Sequence, residues 1–420
     1  MQETVQNGEQ NLFNAEFIWI LCVHFLAMGS FGIYYFLPQF IRLTGGEEFI
    51  IGLVMGAPAT AAIFFRLPTG AWVDRLGRRR MVITGLGLLT IASALPAFAQ
   101  KAGPFLLVAR AGAGAAMVIY FTAIVTYVAE KAPDGRRAEA VAVYGAAGFL
   151  AQAFSPFLCE WLLEALPFAP AYRYRLLFGT ASLWTAGAFL VSLRMQPDAN
   201  HHEQHLRPDP WHRVMRSPTM VYLMIPSIVF GLAYTAVFSF VSDFSNVKNL
   251  GAPSSFFLSY SVTVILLRLT TGRLLDRIDR RIAIVLSLAI IAVGLYAASV
   301  AHDSLGLVLV GVLTGTGHGY IFPSLSTLTF DSSQARNRGT SLSLYMLGFD
   351  LSTMAMSPVL GRTAEIWDYY LMYRVASLLL VGGILVYLTG WRYHAPVAIR
   401  RSAASRHPTE EYVKNTGVLR

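Results

Sequence analysis

Apolar residues in this chain fall into long runs separated by short polar punctuation. A helix needs about 20 mostly apolar residues to cross about 30 Å of hydrocarbon. Twelve runs meet that need, at approximately 17–41, 49–72, 81–100, 104–129, 137–163, 174–194, 218–241, 253–273, 282–300, 304–329, 338–361 and 369–392. Several carry Gly and Pro, which a bundle tolerates when neighbouring helices re-satisfy the backbone. The pattern predicts an all-α integral membrane protein with twelve transmembrane helices. The stretch ahead of the first run, MQETVQNGEQNLFNAE, is acidic rather than basic, and the run is too long for the h-region of a signal peptide. The first helix is therefore expected to stay.

The runs repeat. At a shift of 202 residues, RLPTGAWVDRLGRR (Arg66 to Arg79) matches RLTTGRLLDRIDRR (Arg268 to Arg281) at eight of fourteen positions, and the same shift pairs Ser155-Pro156-Phe157-Leu158 with Ser357-Pro358-Val359-Leu360. One register serving two separate places points to two pseudo-symmetric six-helix bundles, residues 17–194 and 218–392. A tail, 1–16, precedes them, and a polar linker rich in Pro and His, 195–217, joins them. The spacing of His201, His202, His205 and His212 in that linker matches no closed metal site, so no metal is expected. The stretch 393–420 lacks periodicity and reads as a tail without fixed structure.

Composition agrees with a bilayer. Hydrophobic residues make up 55% of the 420 and charged ones 14%, against roughly 25% charged in soluble domains. Counted from an inside N-terminus, most of the 33 Lys and Arg lie in the connections after runs 2, 4, 6, 8 and 10 and in the C-terminal tail. That predicts both termini in the cytoplasm, and the protein is expected to be multi-pass in the cell inner (cytoplasmic) membrane. The net charge of +9 is then an orientation signal and calls for no nucleic-acid partner. Cys22 and Cys159 fall inside runs and read as packing residues.

The stretch GAWVDRLGRRRM (Gly70 to Met81) stands out, with a glycine at the end of the second run, Asp74 just beyond it, Arg75 and Arg78 to Arg80 clustered, and Gly77 supplying a tight turn. The pattern G-x-x-x-D-R-x-G-R-R resembles the signature of the loop between helices 2 and 3 in the major facilitator superfamily. Here it is carried by Gly70, Asp74, Arg75, Gly77, Arg78 and Arg79. A second copy uses Gly272, Asp276, Arg277, Arg280 and Arg281, with Asp279 in place of the turn glycine. In LLVARAGAGAA, Arg110 and Gly114 match the family's R-x-x-x-G. GFLAQAFSPFLCE is similar to the helix 5 motif of proton-coupled exporters, although Cys159 and Glu160 stand where a Gly-Gly pair is expected and Ser155 replaces a common glycine. SPVLG, Ser357 to Gly361, echoes it. The resemblance implies the major facilitator fold, and it implies that the arginine loops latch the inner face by charge-assisted contacts with a neighbouring helix end.

Charges deep in a bilayer cost about 2.5–3.5 kcal/mol each on insertion scales, so those retained mark function. Asp350, near the middle of the eleventh run, is the most central acid and a candidate for proton coupling or cation recognition. Arg110 is a candidate for binding an anionic substrate group, for tuning a nearby carboxylate or for clamping helices. His318 and His24 are the intramembrane histidines, and imidazole titrates near neutrality. Gln152, Tyr34, Tyr120, Tyr144 and Tyr320 are candidates for polar contacts in an aromatic cavity. Arg66 and Arg268, equivalent in the repeat, are expected to brace the latch or reach for the inner interface rather than touch substrate. Glu160 and Arg362, also equivalent, are candidate outer gate charges.

These features predict a secondary active transporter. It would move a small organic molecule across the lipid bilayer by alternating access, with protons as partner and export as direction, as a monomer and without a cofactor. No G-x-x-x-x-G-K-[ST] is present, so no nucleotide is expected to supply the energy. Alternatives are a proton-independent facilitator or importer of the same fold, and a non-transporting membrane sensor. A membrane-embedded enzyme would need His24, His318 and Asp350 to meet.

Overall fold

The computed structural model describes residues 12–133, 136–198, 209–270 and 278–405, and the described residues form helices without a strand. The first run is a broken helix. α1 (Ala15–Ile33) is capped by Asn14, whose side chain accepts from the Phe17 N–H at 2.9 Å. A 3-10 turn at Tyr34–Phe36 then precedes α2 (Leu37–Leu43), with Pro38 in its first turn, where no amide N–H is missed. α3 (Glu48–Leu76), α4 (Arg78–Ala94), α5 (Pro104–Lys131), α6 (Arg137–Ala165) and α7 (Pro170–Ser192) complete the first half. The linker contains a short helix, α8 (Trp211–Met215).

The second half repeats the plan. α9 (Pro218–Phe238) breaks before α10 (Val241–Val247), and α11 (Ser254–Thr270), α12 (Arg280–Ala298), α13 (Ser304–Ser332), α14 (Arg338–Ile366) and α15 (Tyr369–Ser405) follow. Each of the twelve expected runs therefore carries helix. Among the described residues, nine helices are long and apolar enough to cross a membrane. The three remaining runs fall short for visible reasons: α7 and α14 carry Ser, Thr, Gly and charged residues, and α11 borders an undescribed stretch.

Several boundaries differ from the expected ones. The first and seventh runs extend past their breaks to Leu43 and Val247, because a helix interrupted for one turn can resume. The last helix continues to Ser405, beyond the expected 392, since Ala and Arg favour helix even where apolar periodicity has ended.

Small residues set how closely the halves approach. A Cβ on Gly52 of α3 would lie 2.3 Å from the Ser357 carbonyl oxygen of α14, and one on Gly361 would lie 2.3 Å from that of Glu48. Backbone thus meets backbone at that crossing, the close-packing arrangement that small residues permit. Gly114 does the same within the first half, where a Cβ would lie 2.2 Å from the Pro58 carbonyl oxygen.

At the opposite end of α3, Gly77 adopts φ +92° and lets the chain turn directly into α4. The motif arginines pin this corner to their own half. Arg78 pairs with Glu130 at the end of α5 at 2.8 Å and reaches Asp74 at 3.9 Å. Arg79 donates from Nε to the Met195 carbonyl at 2.7 Å and from Nη2 to that of Leu193 at 2.8 Å. The second half answers in kind: Arg280 pairs with Asp331 at the end of α13, and Asp279 caps α12 by accepting from the Arg281 N–H at 2.8 Å. An Asx cap thus does in α12 what a left-handed glycine does before α4. Gly272, Asp276 and Arg277 lie outside the described residues.

Candidate functional site

A cavity of about 320 Å³ lies between the two halves, walled by α1, α3, α5, α6 and their counterparts α9, α13 and α14. Most of its lining is apolar and aromatic, with Phe31, Phe121, Phe230, Phe238, Phe322 and Phe349 contributing rings. Asp350 and His318, from the second half, and Arg110 and Gln152, from the first, all face it.

Asp350 is paired across the halves. Arg66 on α3 donates from Nε to Asp350 Oδ2 at 2.5 Å, with the two side chains only 17% and 6% exposed. The sequence pattern sets Arg66 apart as a brace for the latch or an interfacial residue, whereas its guanidinium lines the cavity. The run of α3 beyond it to Leu76 leaves Arg66 well inside the helix, too deep to act at the loop.

Arg110, on α5, is 4% exposed and stands 4.8 Å from the centre of the Tyr34 ring. Tyr34 in turn donates to the Ser93 carbonyl at 2.5 Å and stacks on Phe178, which fixes the ring under the cation. Tyr35, from the 3-10 break, donates to Gln152 Oε1 at 2.7 Å. The break at Tyr34–Phe36 is what turns these two successive tyrosines inward.

His318 is bonded through Nδ1 to the Tyr260 hydroxyl and lies edge-on to Phe230 and Phe149 at 5.0 and 5.7 Å. Arg268, its neighbour from α11, covers the Phe149 ring at 4.8 Å. His24 is elsewhere. It is buried in the first half, its Nδ1 3.1 Å from the Tyr120 hydroxyl and its ring stacked 3.8 Å from Tyr144. His24, Tyr120, Tyr144 and Tyr320 are not part of the cavity wall, so His24 does not join His318 and Asp350 there.

The end of the bundle away from the arginine motifs is latched by residues that the sequence pattern does not single out. Arg42 of α2 forks onto Asp243 of α10, Nε to Oδ1 at 2.9 Å and Nη2 to Oδ2 at 2.7 Å, and also reaches Glu48 at 2.6 Å. The Tyr369 hydroxyl donates to the same carboxylate, and Gln39 donates to the Ser242 carbonyl at 3.1 Å. Bidentate Arg–carboxylate contacts are among the stronger charge-assisted bonds. Glu160 and Arg362 also sit at this end. Glu160 accepts from the Ser254 N–H at 2.8 Å, bridging the halves, and Arg362 pairs with Glu365 in its own helix. A signal existed: Arg42 and Asp243 stand 201 residues apart, close to the repeat shift, with opposite charge at the ends of two equivalent runs.

The family model described as Major Facilitator Superfamily matches residues 19–259 and 254–416. The chain belongs to the Major Facilitator Superfamily. Multidrug resistance protein 2 of Bacillus subtilis is 23% identical to it over 303 residues, covering 70% of this chain and 75% of that protein. An uncharacterized MFS-type transporter of Mycobacterium tuberculosis is 24% identical over 375 residues, covering 81% and 84%. Among solved structures, the nucleoside transporter NupG superposes with a TM-score of 0.70 at 15% identity, covering 90% of this chain and 100% of that one. This member of the superfamily is a multi-pass membrane transporter, with its cavity where the two halves of the fold meet.

Proposed function

We propose that the protein is a proton-coupled secondary transporter of a small, largely apolar organic molecule, with Asp350 as the proton-accepting group and Arg66 as the partner that the proton releases. The observation that carries this reading is the ion pair itself: a carboxylate and a guanidinium from opposite halves, both in the cavity wall. Protonation of Asp350 ends the attraction between them and loosens α14 from α3, which links a proton to the relative movement of the halves. The Arg42–Asp243 clasp marks the state in which the far end is shut. Alternating access then requires that clasp to open as the motif end closes. The lysine and arginine distribution supports a cytoplasmic motif end and cytoplasmic termini.

Export is the direction supported by the motif likeness and by the multidrug relative. One observation favours uptake instead. Among the described residues, the cavity wall holds the cations Arg66 and Arg110 against one carboxylate, Asp350, so a proton bound there attracts an anion into the cavity and does not expel it. Flux of a panel of radiolabelled acids, amines and neutral compounds into proteoliposomes, with and without an imposed pH gradient of either sign, tests the proposal. Gradient-dependent flux of at least one compound is expected, and its sign decides between export and uptake. A panel that moves no faster than in empty liposomes contradicts the carrier reading.

A further inference from the structure

Arg110 presents an unmet charge. It is 4% exposed and, among the described residues, makes no hydrogen bond and no ion pair; its Nε is buried without an acceptor. It stands over the face of the Tyr34 ring. Arg66, the other arginine in the wall, is satisfied by Asp350, the one acidic residue lining the cavity among the described residues. An uncompensated buried cation is costly, and a guanidinium offers two parallel donors suited to a planar pair of oxygens.

We propose that Arg110 is the seat for the carboxylate of an amphipathic monoanion, whose apolar body lies against the rings of Phe121, Phe230 and Phe349 in the same cavity. This rests on the carrier reading and names its cargo. Charge counting selects the class: with Arg66, Arg110 and Asp350 in the wall, one negative charge brings the sum to zero, a neutral cargo leaves Arg110 unmet, and an amine adds a like charge. Size narrows it further. A cavity of about 320 Å³ is near the lower end of the roughly 300–1,000 Å³ spanned by small-molecule sites, which suits a body of one or two rings. Tyr35 and Gln152 at the same wall offer hydroxyl and amide groups beside the anion.

A consequence concerns the proton. The charged or titratable groups around the cavity with Asp350 are Arg66 on α3, Arg110 on α5, Tyr34 and Tyr35 on the break after α1, Tyr234 on α9, His318 on α13 and Tyr345 on α14 itself. With the histidine and tyrosines neutral, protonating Asp350 leaves two cations facing the cargo. Proton and anion then favour each other's binding by the same factor, and both move in one direction.

The test is equilibrium binding to the purified full-length protein in detergent, by calorimetry, of matched sets sharing one body. 3-Phenylpropionate is compared with its carboxamide and with 3-phenylpropylamine, and 2-naphthoate with its carboxamide and the corresponding amine. We expect the carboxylates to bind at least about tenfold tighter than the amides, the scale of a charge-assisted bond, and the amines to bind weakest. Arg110→Gln is expected to erase the preference and Arg110→Lys to keep part of it. The comparison of ligands on the unsubstituted protein decides the matter if a variant does not fold. Amides or amines that bind as tightly as the carboxylates, or carboxylates that do not bind at all, overturn the proposal. Because binding is read without a gradient, its failure is distinct from failure of proton-driven flux.

Discussion

Arg66 and Asp350 meet across the boundary between the two halves, Nε to Oδ2 at 2.5 Å, although α3 and α14 are 284 residues apart along the chain at that point. Their contact is an ion pair between the halves and depends on the charge of one carboxylate. Breaking a buried pair by removing one partner costs about 3–5 kcal/mol, because the other charge is left unmet; the adjoining cavity places this pair toward the lower figure. Asp350→Asn and Arg66→Gln are each expected to lower the thermal midpoint of the detergent-solubilised protein, and the double variant to recover part of the loss. Additive losses would show that the two side chains do not depend on each other.

The clasp of Arg42 on Asp243 predicts an effect at the far end. Asp243 is fully buried while the Arg42 side chain is 31% exposed, so its loss is expected to cost on the order of 2 kcal/mol, or roughly thirtyfold in the balance between closed and open. With Ser30→Cys placed in the cavity wall and the native Cys22 and Cys159 replaced, Asp243→Asn should raise the rate of labelling by an impermeant thiol reagent from the side opposite the arginine motifs. An unchanged rate would mean that the close approach of Gly52 and Gly361 holds that end shut without the ion pair.

Gly114 and Gly70 should behave in opposite ways. A Cβ at Gly114 runs into the backbone of Pro58, whereas one at Gly70 meets nothing within 4 Å. Gly114→Leu is expected to destabilise the protein by about 1–3 kcal/mol through overpacking. Gly70→Leu should leave the thermal midpoint unchanged and yet slow transport, if another helix approaches Gly70 only after the motif end closes. Transport at the normal rate in Gly70→Leu would remove that glycine from the cycle.

The linker is held by a cluster with a defined pH response. Asp209 exchanges bonds with Asn337, accepting from Nδ2 at 2.9 Å and donating from its N–H to Oδ1 at 2.9 Å, and pairs with Arg336 at 3.0 Å. The Asn337 bond first, and the nearby Arg336 and Arg213, hold its carboxyl below the usual carboxylate range. A depressed pKa means the contact is complete at and above the ordinary carboxylate value and is lost only as pH falls through the lowered one. The Asp209 contacts should therefore persist through the neutral range, so pH dependence of transport between about pH 6 and 8 should be the same in Asp209→Asn as in the native protein. A shifted profile would implicate the linker in coupling.

Much of this arrangement is legible in the sequence. The apolar runs mark twelve helical spans because a bilayer demands length and apolarity from each one separately, and the repeat marks two halves because a shared register survives where a shared sequence does not. Asp350, Arg110, His318 and Gln152 stand out by the same logic, as polar groups too deep to be there by default, and they share one cavity. His24 meets that criterion equally well but packs between Tyr120 and Tyr144, because burial alone does not say which face of a helix a residue occupies. Arg42 and Asp243 escape notice for the converse reason. Both lie just past the ends of apolar runs and read as loop charges, until the helical breaks at Tyr34–Phe36 and before Val241 carry them back into contact. Depth along one helix can be counted from sequence, whereas the partner across a crossing cannot.

The most direct measurement is proton-driven transport by the purified protein in liposomes, native against Asp350→Asn, using whichever compound the flux panel shows to move. The account predicts that a pH gradient drives net accumulation by the native protein, and that Asp350→Asn loses this response while still exchanging labelled for unlabelled substrate at zero gradient. Accumulation that follows the gradient as well in Asp350→Asn as in the native protein would contradict it.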